Sequence, residues 1–146
     1  MLYFLKSGTP TSTHGNDGMK NNCLLISPPG ELNVFPRGIM EIAGFLNQNA
    51  FPTKVLALGH YLTAGGPTDA AGYIQADLSE DELEPVLEDA IHDADPTVIG
   101  ISNIYTKDTP NCMKIVRLCK RIRPAALTVM GGHHATFCDK HSLGCP

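Results

Sequence analysis

The sequence predicts an α/β fold built on an open parallel sheet of four strands, and three observations carry that expectation. Short apolar runs alternate with stretches of helical periodicity. Each run is continuous rather than alternating, as strands covered by helices on both faces are. Finally, 146 residues with 42% apolar content suffice for one domain whose core needs no disulfide or metal to hold it.

The elements follow in order. Residues 1–22 read as a flexible leader: Lys6 to Asn22 is rich in Gly, Ser, Thr and Asn and holds almost nothing that packs, and His14 within it reads as a solvated residue. The domain proper runs over 23–146. Its first strand is Cys23–Ser27 (CLLIS). Ile39, Ile42, Ala43 and Leu46 then give a helix after Pro36 one apolar face. Lys54–Leu58 (KVLAL) is the second strand. Leu83, Val86, Leu87, Ala90 and Ile91 mark the second helix, for which two starts are open. It is either a kinked helix from a Ser79–Glu82 capping box, with Pro85 inside, or a turn followed by a helix with Pro85 in its first turn. Thr97–Ile101 (TVIGI) is the third strand. The third helix has Thr109 as N-cap, Pro110 at its first position and a stripe of Cys112, Ile115, Val116, Cys119 and Ile122, and Pro124 stops it. Leu127–Met130 (LTVM) is the fourth strand. This order of elements predicts right-handed crossovers and an open, flavodoxin- or Rossmann-like parallel sheet with helices on both faces, for which the flavodoxin-like strand order 2-1-3-4 is the first choice, with its switch point between the first and third strands.

Composition narrows the function classes. A net charge of −4 and a pI near 5.8 lack the basic footprint of a nucleic-acid binder. No window approaches the length of a membrane span, and the apolar start at Met1–Leu5 is too short for a secretory signal. Five cysteines without framework spacing fit reduced thiols, which places the chain in the cytoplasm. Asp77 to Asp95 carries nine acidic residues and Lys107 to Arg123 six basic ones. Two solvated helix faces explain this segregation more simply than a partner surface.

Ligands of an open parallel sheet bind at the carboxyl ends of its strands. Three loops there form the candidate site. The first runs from Ser27, Pro28 and Pro29 to Gly38 at a helix N-terminus. The second holds Ser102, Asn103, Tyr105 and Thr106, a cluster of hydroxyls and an amide. The third is Gly131-Gly132-His133, where paired glycines let something press against the backbone. Each alone reads as a turn; their shared placement at one mouth suggests a large, flat or chain-like ligand held by small residues and amides. Acidic residues of a phospho-acceptor receiver are missing after the first and third strands. So are the G-x-x-x-x-G-K-[ST] and G-x-G-x-x-G patterns, a nucleophile elbow and a catalytic triad.

The succession LLISPP, PRGIMEIAGFLN, PTVIGIS and LTVMGGHHAT resembles the cobalamin-binding domain that precedes the radical S-adenosylmethionine domain in cobalamin-dependent radical enzymes, over Cys23 to about Thr136. The resemblance implies a Rossmann-like domain holding cobalamin with its nucleotide tail in the switch-point crevice, lined by the Ser27–Pro29 loop, the Ser102–Thr106 loop and Gly131-Gly132. The D-x-H-x-x-G signature that supplies a histidine to cobalt is absent, and Ser27 to Gly38 contains no histidine. In the full enzyme the corrinoid usually passes a methyl group to substrate. The 4Fe-4S cluster and S-adenosylmethionine belong to a radical domain that is not in this chain, since Cys138 and Cys145 cannot supply a C-x-x-x-C-x-x-C motif. The domain is therefore expected to be incomplete at its C-terminus, lacking a further helix and a fifth strand, and the chain alone is not expected to be catalytic.

The remaining His and Cys residues have simpler readings. Cys23, Cys112 and Cys119 fall on core faces, His60 reads as a loop residue, and His92 sits where a helix C-terminus favours a cation. His134, Cys138, His141 and Cys145 have three, two and three residues between them, which on a helix gathers them near one face and makes a zinc or iron site the alternative. A protein- or metal-interaction module that keeps the fold without the cofactor is the second function class, motivated by that tail and the charged helix faces.

Overall fold

In the computed structural model the described residues are 2–3, 21–29, 36–61 and 78–137. They form β1 (Leu2–Tyr3), β2 (Cys23–Ser27), α1 (Arg37–Gln48), β3 (Thr53–Ala57), α2 (Leu58–Tyr61), α3 (Glu80–Ala94), β4 (Val98–Ser102), α4 (Thr109–Ile122), β5 (Leu127–Gly131) and α5 (His133–Phe137). The sheet order is β1-β3-β2-β4-β5. β2 through β5 are mutually parallel, and counted alone they have the expected order 2-1-3-4. β2 pairs with both β3 and β4, so the switch point lies beside it.

Several boundaries differ from expectation. The second parallel strand is Thr53–Ala57, because Leu58 opens α2, so His60 belongs to a short helix rather than a loop. The third is Val98–Ser102, and the fourth runs on to Gly131. Leu2–Tyr3, in the expected leader, pair antiparallel with β3, and Asn22 is tied into the fold by donating to the Ala94 carbonyl and accepting from Thr97 N–H. A helix, α5, does follow β5, contrary to the expectation that the chain lacks one there.

α3 resolves the two alternatives in favour of the capping box. Ser79 Oγ accepts from Glu82 N–H, Glu82 accepts from Ser79 N–H, and Pro85 lies inside the helix. The donor that proline lacks would have served the Asp81 carbonyl, and both residues are exposed, which lowers the cost of the lost bond. α4 instead begins at Thr109, one residue earlier than expected, with no side-chain cap on Asp108; the Thr109 hydroxyl is engaged by Asn103.

Two apolar layers hold the sheet. α3 and α4 cover one face through Leu83, Leu87, Ile115 and Leu118 against Leu24, Ile26, Ile99 and Ile101. α1 covers the other through Ile39 and Ala43 against Leu25 and Val55. This second layer stops short. β5 was expected to be buried on both faces, but it alternates, with Leu127 at 62% and Val129 at 46% exposure, because no described helix lies over β4 and β5 on the α1 side. Ile42, expected on the packed face of α1, borders the same opening at 52% exposure.

The acidic and basic runs meet rather than face away. Arg121 pairs with Glu84 at 2.7 Å and Glu80 at 3.4 Å, Arg123 pairs with Asp95, and Lys54 with Asp93 at 2.8 Å. Such solvent-screened pairs add little to stability. Arg121 and Arg123 of the basic run thus meet Glu80, Glu84 and Asp95 of the acidic one across the α3–α4 seam. No helix among the described residues is long and apolar enough to cross a membrane.

Cys23, Cys112 and Cys119 are free and buried, as their positions on core faces predict. Desolvation pushes their thiols up to about 11, 12 and 12 respectively. Iodoacetamide at a pH of about 8, below the ordinary thiol range, is therefore expected to leave these three unmodified in the native protein and to alkylate them after denaturation, as read by peptide mass spectrometry.

Candidate functional site

The loops after β4 and β5 are built as one unit. The Asn103 N–H donates to the Gly131 carbonyl at 2.7 Å, and the His134 N–H donates to the Asn103 carbonyl at 3.1 Å. Gly132 sits between them at φ +110°, in the left-handed region, and a Cβ there would lie 2.6 Å from the Asn103 carbonyl oxygen and 2.9 Å from its carbon. Only glycine meets both demands. What presses on the paired glycines is thus the chain's own backbone, and only at Gly132. At Gly131 a Cβ would have nothing within 4 Å, so that glycine faces open space.

Side chains reinforce the same junction. Asn103 is fully buried and donates through Nδ2 to Thr109 Oγ1 at 3.1 Å, so its amide is turned inward, away from the ligand position expected for it. Thr106 Oγ1 and His134 Nδ1 are 3.0 Å apart, linking the second loop to α5. His134 is 4% exposed, and its Nε2 has no hydrogen-bond partner among the described residues. Asp108, at the entrance to α4, is also buried; desolvation raises its carboxyl above the ordinary range, partly offset by the Lys107 charge.

Beside this junction lies a cavity of about 500 Å³, within the range of small-molecule sites. It opens at the carboxyl ends of β4 and β5, beside the start of α1, and extends along the uncovered α1 side of the sheet over Leu25 of β2. Of the expected site residues, Gly38, Ser102, Gly131, Gly132 and His133 line it. Ser27, Pro28 and Pro29 do not, nor do Tyr105 and Thr106. Tyr105 lies outward, with Lys107 Nζ 5.8 Å from its ring centre. Positions 30–35 of the first loop lie outside the described residues.

Ile104, within the expected Ser102–Thr106 loop, also lines it, and the lining not expected from the sequence is Leu25, Ile39 and Ile42, with Gly100 and Val129. These positions read as ordinary core in strand and helix patterns. Only the knowledge that nothing described packs over β4 and β5 on this side would have marked them as cavity wall. For the alternative metal set, His134 is buried against Thr106, and Cys138, His141 and Cys145 lie outside the described residues. Among the described residues no group of three or more His, Cys, Asp and Glu side chains is placed to hold a metal ion.

Comparison with known proteins agrees with this geometry. The B12 binding domain family model matches residues 31–145. The chain is 29% identical over 117 residues to a cytidylyl-2-hydroxyethylphosphonate methyltransferase of Streptomyces wedmorensis, covering 77% of this chain and 21% of that protein. It is 35% identical over 103 residues to an anaerobic magnesium-protoporphyrin IX monomethyl ester cyclase of Rubrivivax gelatinosus, covering 68% of this chain and 17% of that protein. The chain thus spans about a fifth of the length of these relatives. No solved structure gives a significant match.

Gly132→Ala is expected to destabilise the fold by about 1–3 kcal/mol through strain and the clash with Asn103. Gly131→Ala is expected to change stability little. Urea denaturation of the two variants checks the contrast. With its loops joined through Gly132 and its cavity at the strand ends, the chain belongs to the B12 binding domain family.

Proposed function

We propose that the chain binds cobalamin in the cavity at the carboxyl ends of β4 and β5, beside the start of α1, as the cofactor module of a cobalamin-dependent radical S-adenosylmethionine enzyme in the cytoplasm. The observation that carries the reading is the cavity's build: an opening at the switch point, edged by Gly38, Ser102, Gly131 and Gly132, leading to an apolar trough. Open space at the Cβ positions of Gly38 and Gly131 fits a bulky group brought close to the backbone.

The residues have distinct tasks. Gly38 lies in the first turn of α1, where N–H groups without intrahelical partners can receive polar ligand atoms. Ser102 and His133 offer polar side chains at the mouth. Asn103, Thr109, Thr106 and His134 are positioning residues that hold the second and third loops together. No histidine occurs between Ser27 and Gly38, so this loop would offer a corrinoid cobalt no imidazole. Bound cobalamin would supply methyl-carrier chemistry to a parent protein. The methyltransferase and cyclase relatives, of which this chain matches about a fifth, support a modular role within a larger enzyme.

Gly131→Leu tests the site without disturbing the fold, because the added side chain enters open space. The wild-type chain, incubated with hydroxocobalamin and desalted, is expected to retain stoichiometric corrinoid by absorbance. Gly131→Leu should lower the affinity at least about tenfold, the scale on which filling a pocket alters discrimination. A folded wild-type chain that retains no corrinoid would overturn the reading.

A further inference from the structure

We propose that the contact between Thr106 and His134 is a latch that sets how tightly the cavity holds its ligand, so that a residue outside the cavity governs affinity inside it; this rests on the cobalamin-binding reading above. Neighbouring parts of the mouth come from different segments. Ser102 and Ile104 belong to the end of β4 and the loop after it, and Gly131, Gly132 and His133 to the turn after β5. The placement of one segment against the other therefore shapes the seat.

His134 fastens the β4 loop at two points. Its backbone N–H donates to the Asn103 carbonyl at 3.1 Å, and its ring Nδ1 lies 3.0 Å from Thr106 Oγ1. The arc from Asn103 to Thr106 is thus stapled at both ends by one residue, and Ile104, which lines the cavity, sits within that arc. Apolar burial does little to hold it. Ile104, Tyr105, Thr106 and Lys107 are exposed, and α5, which carries His134, has five residues. Segments with so little burial open locally at low cost unless hydrogen bonds close them.

The outer staple is the one a single atom can remove. His134 is 4% exposed, so its Nδ1 has exchanged water for the Thr106 hydroxyl, which can donate or accept and so suits either tautomer of the ring. Loss of the hydroxyl takes that partner from a buried ring nitrogen, a cost the arc escapes by opening to water. An arc that is closed for only part of the time lowers the apparent affinity by the closed fraction. Linkage makes the effect reciprocal, and a ligand that spans the mouth favours the closed arc.

The test compares the wild-type chain with Thr106→Ser, which keeps the hydroxyl, and Thr106→Val, which puts a methyl group in its place. Thr106 is exposed, so both variants spare the core. In equilibrium dialysis with hydroxocobalamin, Thr106→Val should bind about two- to tenfold more weakly, the range one hydrogen bond spans, and Thr106→Ser should stay close to wild type. Hydrogen–deuterium exchange of the unliganded chains reads the latch by itself. In Thr106→Val the Asn103 and His134 amides, which donate across the junction, should exchange faster by a similar factor, while amides of β2 and α3 keep their rates. Unchanged exchange at those two amides overturns the latch. So does faster exchange with unchanged corrinoid affinity, which would make the bond merely structural; in both cases corrinoid binding by the wild-type chain stands. A folded wild-type chain that binds no corrinoid overturns the latch and the cobalamin reading together.

Discussion

The site depends on one steric contact, that of Gly132 against the backbone of Asn103. At φ +110° and with no Cβ to strike a carbonyl that would lie 2.6 Å away, Gly132 lets the turn after β5 fold down onto the loop after β4. The hydrogen bonds from Asn103 N–H to the Gly131 carbonyl and from His134 N–H to the Asn103 carbonyl then lock the two loops. Asn103 buries its amide to brace α4 through Thr109, and Thr106 meets His134 across the same junction. The neighbouring Gly131 keeps its open side because Gly132 absorbs the close approach. Two adjacent glycines thus do different things: one makes the mouth possible and the other leaves it empty.

The rest of the cavity follows from uneven covering of the sheet. α3 and α4 bury one face, and their facing charges, Arg121 with Glu80 and Glu84, lie outside that core. α1 covers only the β2–β3 half of the other face. Hydrophobic residues on the remaining half, Leu127 and Val129 with Ile42 of α1, stay exposed to an extent unusual for a parallel sheet. Apolar surface beside a polar, glycine-lined mouth is what an amphiphilic ligand requires. The same layer arrangement explains why the buried cysteines of β2 and α4 are inert core thiols rather than ligands.

Much of this was legible from residues alone. Continuous apolar runs at Cys23–Ser27 and around Ile99 located the central strands, the Cys112–Cys119 stripe located α4, and the strand order is the flavodoxin-like one of the open parallel sheets. Gly38, Ser102, Gly131, Gly132 and His133 were placed at the mouth because strand ends can be found from pattern. Other features were not legible, for identifiable reasons. Asn103 and Thr106 look like ligand residues because a loop sequence does not show which polar side chains satisfy one another. Val129 and Ile42 look like core because periodicity reports a residue's character and not whether a neighbour covers it. Leu25 and Gly100 join the site only through register, which pairs residues far apart in sequence.

The cavity puts ligand entry on the α1 side of the sheet, at the junction held by Gly132. Hydrogen–deuterium exchange of the chain with and without saturating hydroxocobalamin tests it most directly, since the backbone amides report each loop separately. Slowed exchange is expected in the first turns of α1 and in the segments around Ser102–Thr106 and Gly131–His134, with α3 unchanged. Protection centred on α3 and the outer face of α4, or binding that leaves the Gly131–His134 segment unaffected, would contradict it.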